Sequence, residues 1–219
     1  MLTLIEKIML LSIDEKKNKI SMQGYNFSRY GPKAAAILNL IELNKIKLEN
    51  KKIVVTDTSS SSDNILDDVL EKLSSKPINL NTWLYSYTVF ERQMRIKALN
   101  NLEEKGIIMQ EEKRFLGLIP YKKYIIYNND ERQTIKNSIR EKLLSESTDA
   151  SDEIIAIISL AAICGSLKMF FNNTEMKQIK KKIKSIKKAE YFKSSGEELK
   201  KILKGIQNAM ASRAAAGSV

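Results

Sequence analysis

The chain reads as mainly α, one globular helical domain spanning residues 1–219 with small β-hairpins. Three observations carry that reading. Apolar residues recur at helical spacing along most of the chain. Only 3 prolines and 8 glycines interrupt it, and hydrophobic content of 43% is ample for a core in 219 residues. The few stretches that alternate at period two are short and sit beside turn residues.

Taken in order, Leu4, Ile5, Ile8 and Leu11 predict a first helix from Thr3 to about Ile13, with Thr3 as its cap. Asp14 to Asn18 is a charged turn before a short strand, Lys19 to Met22. Gly31-Pro32 introduces a helix over 33–43. Lys45 to Glu49 and Lys52 to Thr56 form a hairpin. The Thr58–Asp63 loop caps a helix carrying Ile65, Leu66, Val69, Leu70 and Leu73; without glycine or lysine it is no phosphate-binding P-loop. Beyond Pro77 come a helix holding Trp83 in the core, a helix through Arg92, a hairpin, and a helix from Asp130 to about Leu144. Ile154 to Leu167 is a buried helix, shorter than the roughly 18 apolar residues a membrane span needs. Met176, Ile179, Ile183 and Ile186 set the stripe of a lysine-rich helix, whose solvated face adds to general attraction for anionic surfaces. The tail from Ile202 is helical and alanine-rich, with frayed ends over 214–219.

Composition narrows the chemistry. There is no histidine, which removes His acid–base catalysis, Ser-His and Cys-His pairs and every His-containing metal site. The one cysteine, Cys164, falls in the apolar run and reads as a small buried hydrophobe, so neither a disulfide nor a thiolate zinc site forms within the chain. Asp57, Asp63, Asp67 and Asp68 are explained by capping and solvated positions. The expectation is a protein that is not an enzyme, has no cofactor and no metal, and is cytoplasmic, since the start of the chain lacks the pattern of a secretory leader. A net charge of +11 favours anionic partners.

The segment from Glu91 to Tyr127 is the most informative. At 100° per residue, Arg92, Arg95, Leu99 and Leu102 share one helical stripe, opposite Gln93, Lys97, Asn100 and Glu104. The two arginines are therefore expected at the upper end of the core-facing stripe, where a guanidinium needs a partner. A bound anion and an internal carboxylate both qualify. In the following hairpin, Phe115, Leu116, Leu118 and Ile119 cannot all face inward, so its tip is either a shallow membrane wedge or a contact between copies of the chain. A helix followed by a hairpin also describes a winged-helix module that binds nucleic acid. Against that alternative, no separate recognition helix precedes Leu99, and the arginines lie on the wrong stripe for groove reading.

Several segments together resemble the Golgi phosphoprotein 3 family of peripheral membrane proteins and their prokaryotic relatives. They are Leu2–Glu6 with Met9–Leu11, Val54–Asp57 followed by Asp63–Asp67, Asn101–Ile107 with Phe115-Leu116, and Leu160–Ala162 with the alanine-rich end. The resemblance covers almost the whole chain. It implies a mainly helical domain that binds phosphatidylinositol 4-phosphate or a related phospholipid at a membrane surface. In eukaryotic members that surface is the cytosolic face of the Golgi, where they link membrane-anchored client enzymes to the vesicle coat. By the same resemblance Arg92 and Arg95 clamp the phosphate and Lys33 aligns with a further basic residue of the pocket. The family's pocket tryptophan has no counterpart in the loop Gly24–Tyr30, where Tyr25 or Phe27 stands in as the aromatic wall and Arg29 adds charge. Lys33 lacks the bidentate geometry of arginine. The basic N-terminal tail used for coat binding is expected to be absent, because the sequence opens directly on the first helix.

Overall fold

The computed structural model describes the chain except for residues 76, 87–88, 117, 146–150, 188–196 and 217–219. It is a single helical domain decorated by small antiparallel sheets. The first helix, α1 (Leu4–Ser12), begins with a complete capping box. Thr3 accepts from the Glu6 amide at 3.3 Å, and the Glu6 carboxylate accepts from the Thr3 amide at 2.8 Å. Glu6 is buried, and Lys105 bonds both of its oxygens at 2.7 and 2.8 Å. This ties the start of α1 to the region just past the Arg92 helix.

α2 (Tyr25–Glu42) is the central helix, packed chiefly on α1. Its Gly31 sits against α1 so closely that a Cβ would meet Ile8 Cγ2 at 2.7 Å. The helix starts eight residues before the position that Gly31-Pro32 suggested, and Pro32 lies inside it. An interior proline removes one backbone bond and costs about 3 kcal/mol. Phe27 and Tyr30, at 0% and 1% exposure, bury their rings on the same helix. Each such ring contributes about 1.5–3 kcal/mol, enough together to outweigh the proline.

Two short strands, β1 (Ile13–Asp14) and β2 (Lys19–Ile20), pair around the first charged turn. β3 (Ile46–Glu49) and β4 (Lys52–Val55) form the second hairpin, and β5 (Ile78–Asn79) adds a third strand to it. Between them lies α3 (Asn64–Ser74), whose N-cap Asp63 accepts from the amides of Ile65 and Leu66. A short helix, α4 (Leu80–Tyr85), places Trp83 in the core as expected, its indole N–H donating to the Lys33 carbonyl at 3.2 Å.

α5 (Val89–Glu104) carries the two arginines. It ends at Gly106, whose φ of 68° lets the Gly106 amide reach Glu103 O and the Ile107 amide reach Leu102 O. That turn launches β6 (Ile108–Phe115), which pairs with β7 (Ile119–Ile126) from Ile108↔Ile126 to Phe115↔Ile119.

α6 (Asp130–Leu144) follows, then α7 (Asp152–Ile163), apolar almost all round and buried as expected of a core helix. The lysine-rich segment is two helices rather than one. α8 (Asn173–Gln178) and α9 (Lys180–Lys187) meet at the buried Ile179, which anchors the break, while the Ile186 side chain lies outside the described part. α10 (Glu197–Ala216) closes the chain, and 217–219 of the expected frayed end lie outside the described residues.

Candidate functional site: a basic groove between a helix and a hairpin

The site begins with the way α5 is seated. Its buried stripe is Glu91, Met94, Ala98 and Leu102, with Leu99 beside it. This is rotated from the stripe expected through Arg92 and Arg95. Arg92 is exposed and Arg95 half-buried, on the flank of the helix rather than toward its core. The charge the core actually takes in is Glu91.

Two cations from α2 flank that carboxylate. Lys33 Nζ lies 3.3 Å from Glu91 Oε2 and donates to the carbonyls of Leu84 at 2.6 Å and Ser86 at 2.8 Å. Arg29 Nε stands 3.9 Å from Glu91 Oε1. Both cations also lie over the Tyr30 ring, at 5.8 Å for Arg29 and 5.5 Å for Lys33. Burial pulls the Lys33 ammonium below its ordinary pKa, partly offset by Glu91. The result is a closed charge cluster that fixes the first turn of α5.

With Glu91 inward, the next residue and the one a turn later face the hairpin. Arg92, Arg95, Ile96 and Leu99 form one wall of a groove of about 400 Å³, and Glu112, Pro120, Tyr121, Lys122 and Tyr124 form the other. Along β7 the residues at period two, Pro120, Lys122 and Tyr124, turn one face to α5. Tyr124 feels burial, which raises its phenol pKa, and the nearby Arg95, which opposes the rise. Arg95 Nε is buried and donates to no described residue. Among the described residues neither arginine makes an ion pair.

The groove is latched at its base. Glu103 accepts from the Gln110 amide at 2.7 Å and from its side-chain amide at 2.9 Å, which also reaches Asn100 Oδ1 at 2.9 Å. Lys122 Nζ donates to Gln110 Oε1 at 3.2 Å. On the other edge the Tyr124 amide donates to the Asn18 carbonyl at 2.8 Å. Two guanidinium forks and one ammonium therefore face a single carboxylate, Glu112, in a cleft of ligand size.

Beyond the groove the hairpin ends in bare apolar surface. Leu116 and Leu118 are 82% and 81% exposed, Ile119 is 62% exposed, and the side chain of Phe115 lies outside the described part.

A family model for Golgi phosphoprotein 3 (GPP34) matches residues 4–210. The chain belongs to this family. Within the Golgi phosphoprotein 3 fold as this chain builds it, only Arg92 and Arg95 of the expected headgroup residues line the groove beside the hairpin. Lys33 is 2% exposed and occupied in the core, and Arg29 is buried beside the same Glu91. Phe27 is wholly buried and forms no pocket wall, because residues 25–30 are the first turns of α2 rather than a loop. Tyr25 is exposed at the start of that helix and does not line the groove.

The groove's aromatic wall comes instead from Tyr121 and Tyr124, with Lys122 as its third cation. Period-two alternation on β7 groups Lys122 with Tyr124 but not with Tyr121, and only tertiary packing decides which face meets α5. Elsewhere, burial drives the Cys164 thiol far above its ordinary pKa, away from nucleophilic use. The described residues hold no cluster of three metal-ligating side chains and no helix long and apolar enough to cross a membrane.

Proposed function

We propose that this protein is a peripheral membrane protein whose groove holds a phosphorylated lipid headgroup, phosphatidylinositol 4-phosphate or a related anionic phospholipid. One observation carries the reading: Arg92 and Arg95 face an open groove without an ion-pair partner among the described residues, directly beside an exposed apolar hairpin tip. Arginine forks one turn apart suit a phosphate, which can accept from both. Leu116, Leu118 and Ile119 would enter the interfacial region while the groove takes the headgroup. Membership of the Golgi phosphoprotein 3 family supports the same assignment. Lys33 and Arg29 then serve by seating α5, not by touching lipid. A role as an adaptor for membrane-anchored clients extends this reading, and the exposed tip is equally a surface for self-association.

The test is co-sedimentation at physiological salt with neutral, phosphatidylserine and phosphatidylinositol 4-phosphate vesicles. Selective retention on the last, lost in Arg92→Ala with Arg95→Ala at unchanged thermal stability, is the expected outcome. Equal retention of that double variant would overturn the assignment of the groove. Salt-sensitive retention on duplex DNA without vesicle binding would favour the nucleic-acid alternative.

A further inference from the structure

A second basic cavity lies away from α5. It has a volume of about 370 Å³ and opens between the β1–β2 turn, the start of α6 and the short 3₁₀ turn Leu167–Met169. Four cations face it, Lys16, Arg132, Lys136 and Lys168, against two carboxylates, Asp14 and Glu15.

The two acids do not balance them. Asp14 is engaged in its own turn, accepting from the amides of Lys16 and Lys17 at 3.0 and 3.1 Å. Glu15, on the exposed turn, reaches over to an ion pair with Arg132 Nη1 and lies 3.8 Å from Lys136 Nζ. One carboxylate thus spans two cations. Arg132 is only 5% exposed; its Nη2 donates to the Ile13 carbonyl at 2.9 Å, and its buried Nε donates to no described residue. It also sits in the first turn of α6, where the helix dipole adds further positive potential. Lys136 is held below its ordinary pKa by burial, then by Arg132 and Arg140. Arg140 itself is matched, pairing with Glu175 at 3.1 Å.

Such a site is built for an anion that carries more negative charge than one glutamate. We propose that this cavity is a second anion-binding site, taking the phosphate group of a small phosphorylated ligand or headgroup, with Glu15 as the internal carboxylate that the ligand displaces. Arg132 supplies a buried, backbone-anchored fork, and Lys136 and Lys168 close on the outer oxygens. Glu15, on a solvent-exposed turn, can swing away without opening the core. The site shares no lining residue with the α5 groove, so it stands or falls separately.

The experiment uses the full chain carrying Arg92→Ala and Arg95→Ala, which removes the first groove. Inorganic pyrophosphate is titrated by calorimetry. Binding is expected to persist, to weaken at least about tenfold in Lys136→Gln with Lys168→Gln, and to survive in Lys136→Arg, since each lost contact is a charge-assisted hydrogen bond. Glu15→Gln should strengthen it several-fold by removing the competing carboxylate. Lys168 is exposed, so Lys168→Gln alone tests the site without threatening the fold. The Lys136 and Lys168 substitutions are then made with Arg92 and Arg95 intact and sedimented with phosphatidylinositol 4-phosphate vesicles. Retention that depends on Lys136 and Lys168 identifies a lipid headgroup as the source, and pyrophosphate binding alone identifies a soluble one. Absence of pyrophosphate binding, or binding indifferent to Glu15, Lys136 and Lys168, overturns the proposal.

Discussion

Lys33 Nζ sits 3.3 Å from Glu91 Oε2 with both side chains 2% exposed, and the residue after Glu91 is the first arginine of the groove. The pair fixes the rotation of α5, and that rotation sends Arg92 and Arg95 toward β7. Breaking a buried ion pair by removing one partner leaves a charge without compensation and costs about 3–5 kcal/mol. Glu91→Ala is therefore expected to lower unfolding stability by about that amount, measured by urea denaturation. Arg92→Ala, on the exposed flank, should change it by less than about 0.5 kcal/mol. The opposite order would mean that the arginines, not Glu91, hold the helix.

That relationship also explains what the sequence could and could not reveal. The stripe through Arg92, Arg95, Leu99 and Leu102 was close, because Leu99 and Leu102 are indeed buried. It was rotated by about one residue, since Glu91 looks like a solvated first-turn acid until Lys33 and Arg29 are brought to it from α2. Partners 58 residues apart leave no local pattern. Capping signals such as Thr3 and Asp63 act within one turn and are readable directly, while the reciprocal bond from Glu6 emerges only in the structure. The start of α2 was not, because Pro32 is a strong local stop that burial of Phe27 and Tyr30 overrides. The hairpin's strands were legible from turns and alternation; which face of β7 meets α5 depends on tertiary packing.

The hairpin tip offers a prediction independent of charge. Leu116 and Leu118 contact water in the free protein, so replacing them with serine should leave thermal stability nearly unchanged. If they enter a bilayer, each leucine lost removes several buried methylene groups at about 0.8 kcal/mol apiece. Leu116→Ser with Leu118→Ser should therefore reduce vesicle retention by at least about tenfold. Leu118→Trp gives a spectroscopic check. Trp83 is buried and changes little, so a blue shift on adding vesicles reports the tip. A sedimentation-velocity shift on the serine substitutions, with vesicle binding intact, would assign the tip to self-association.

Gly106 is placed where a side chain is strained. Its φ of 68° lies in the left-handed region, and no atom crowds the position a Cβ would take. Gly106→Ala should thus cost about 1–2 kcal/mol through backbone strain alone, without a steric clash. Gly106→Asn, which tolerates the same region better, should cost less. Equal losses for both would point to some constraint other than backbone conformation.

Asp57 gives the pH dependence its sign. Its carboxylate accepts from Lys45 Nζ at 2.7 Å and from the Ser59 amide at 2.8 Å and hydroxyl at 2.8 Å. These bonds, Lys45 first, lower its pKa from 3.8 to about 2. A carboxyl whose folded pKa is depressed contributes stability that is fully present above its unfolded pKa. That contribution is lost as pH falls from about 3.8 toward about 2. Because Asp57 is solvent-exposed, its effect is a change of slope rather than a collapse. Asp57→Asn should therefore flatten the acid limb of a thermal-stability profile across that window and leave the profile parallel to wild type above it. An unchanged slope below pH 3.8 would mean that Lys45 pairs with Asp57 just as strongly in the unfolded chain.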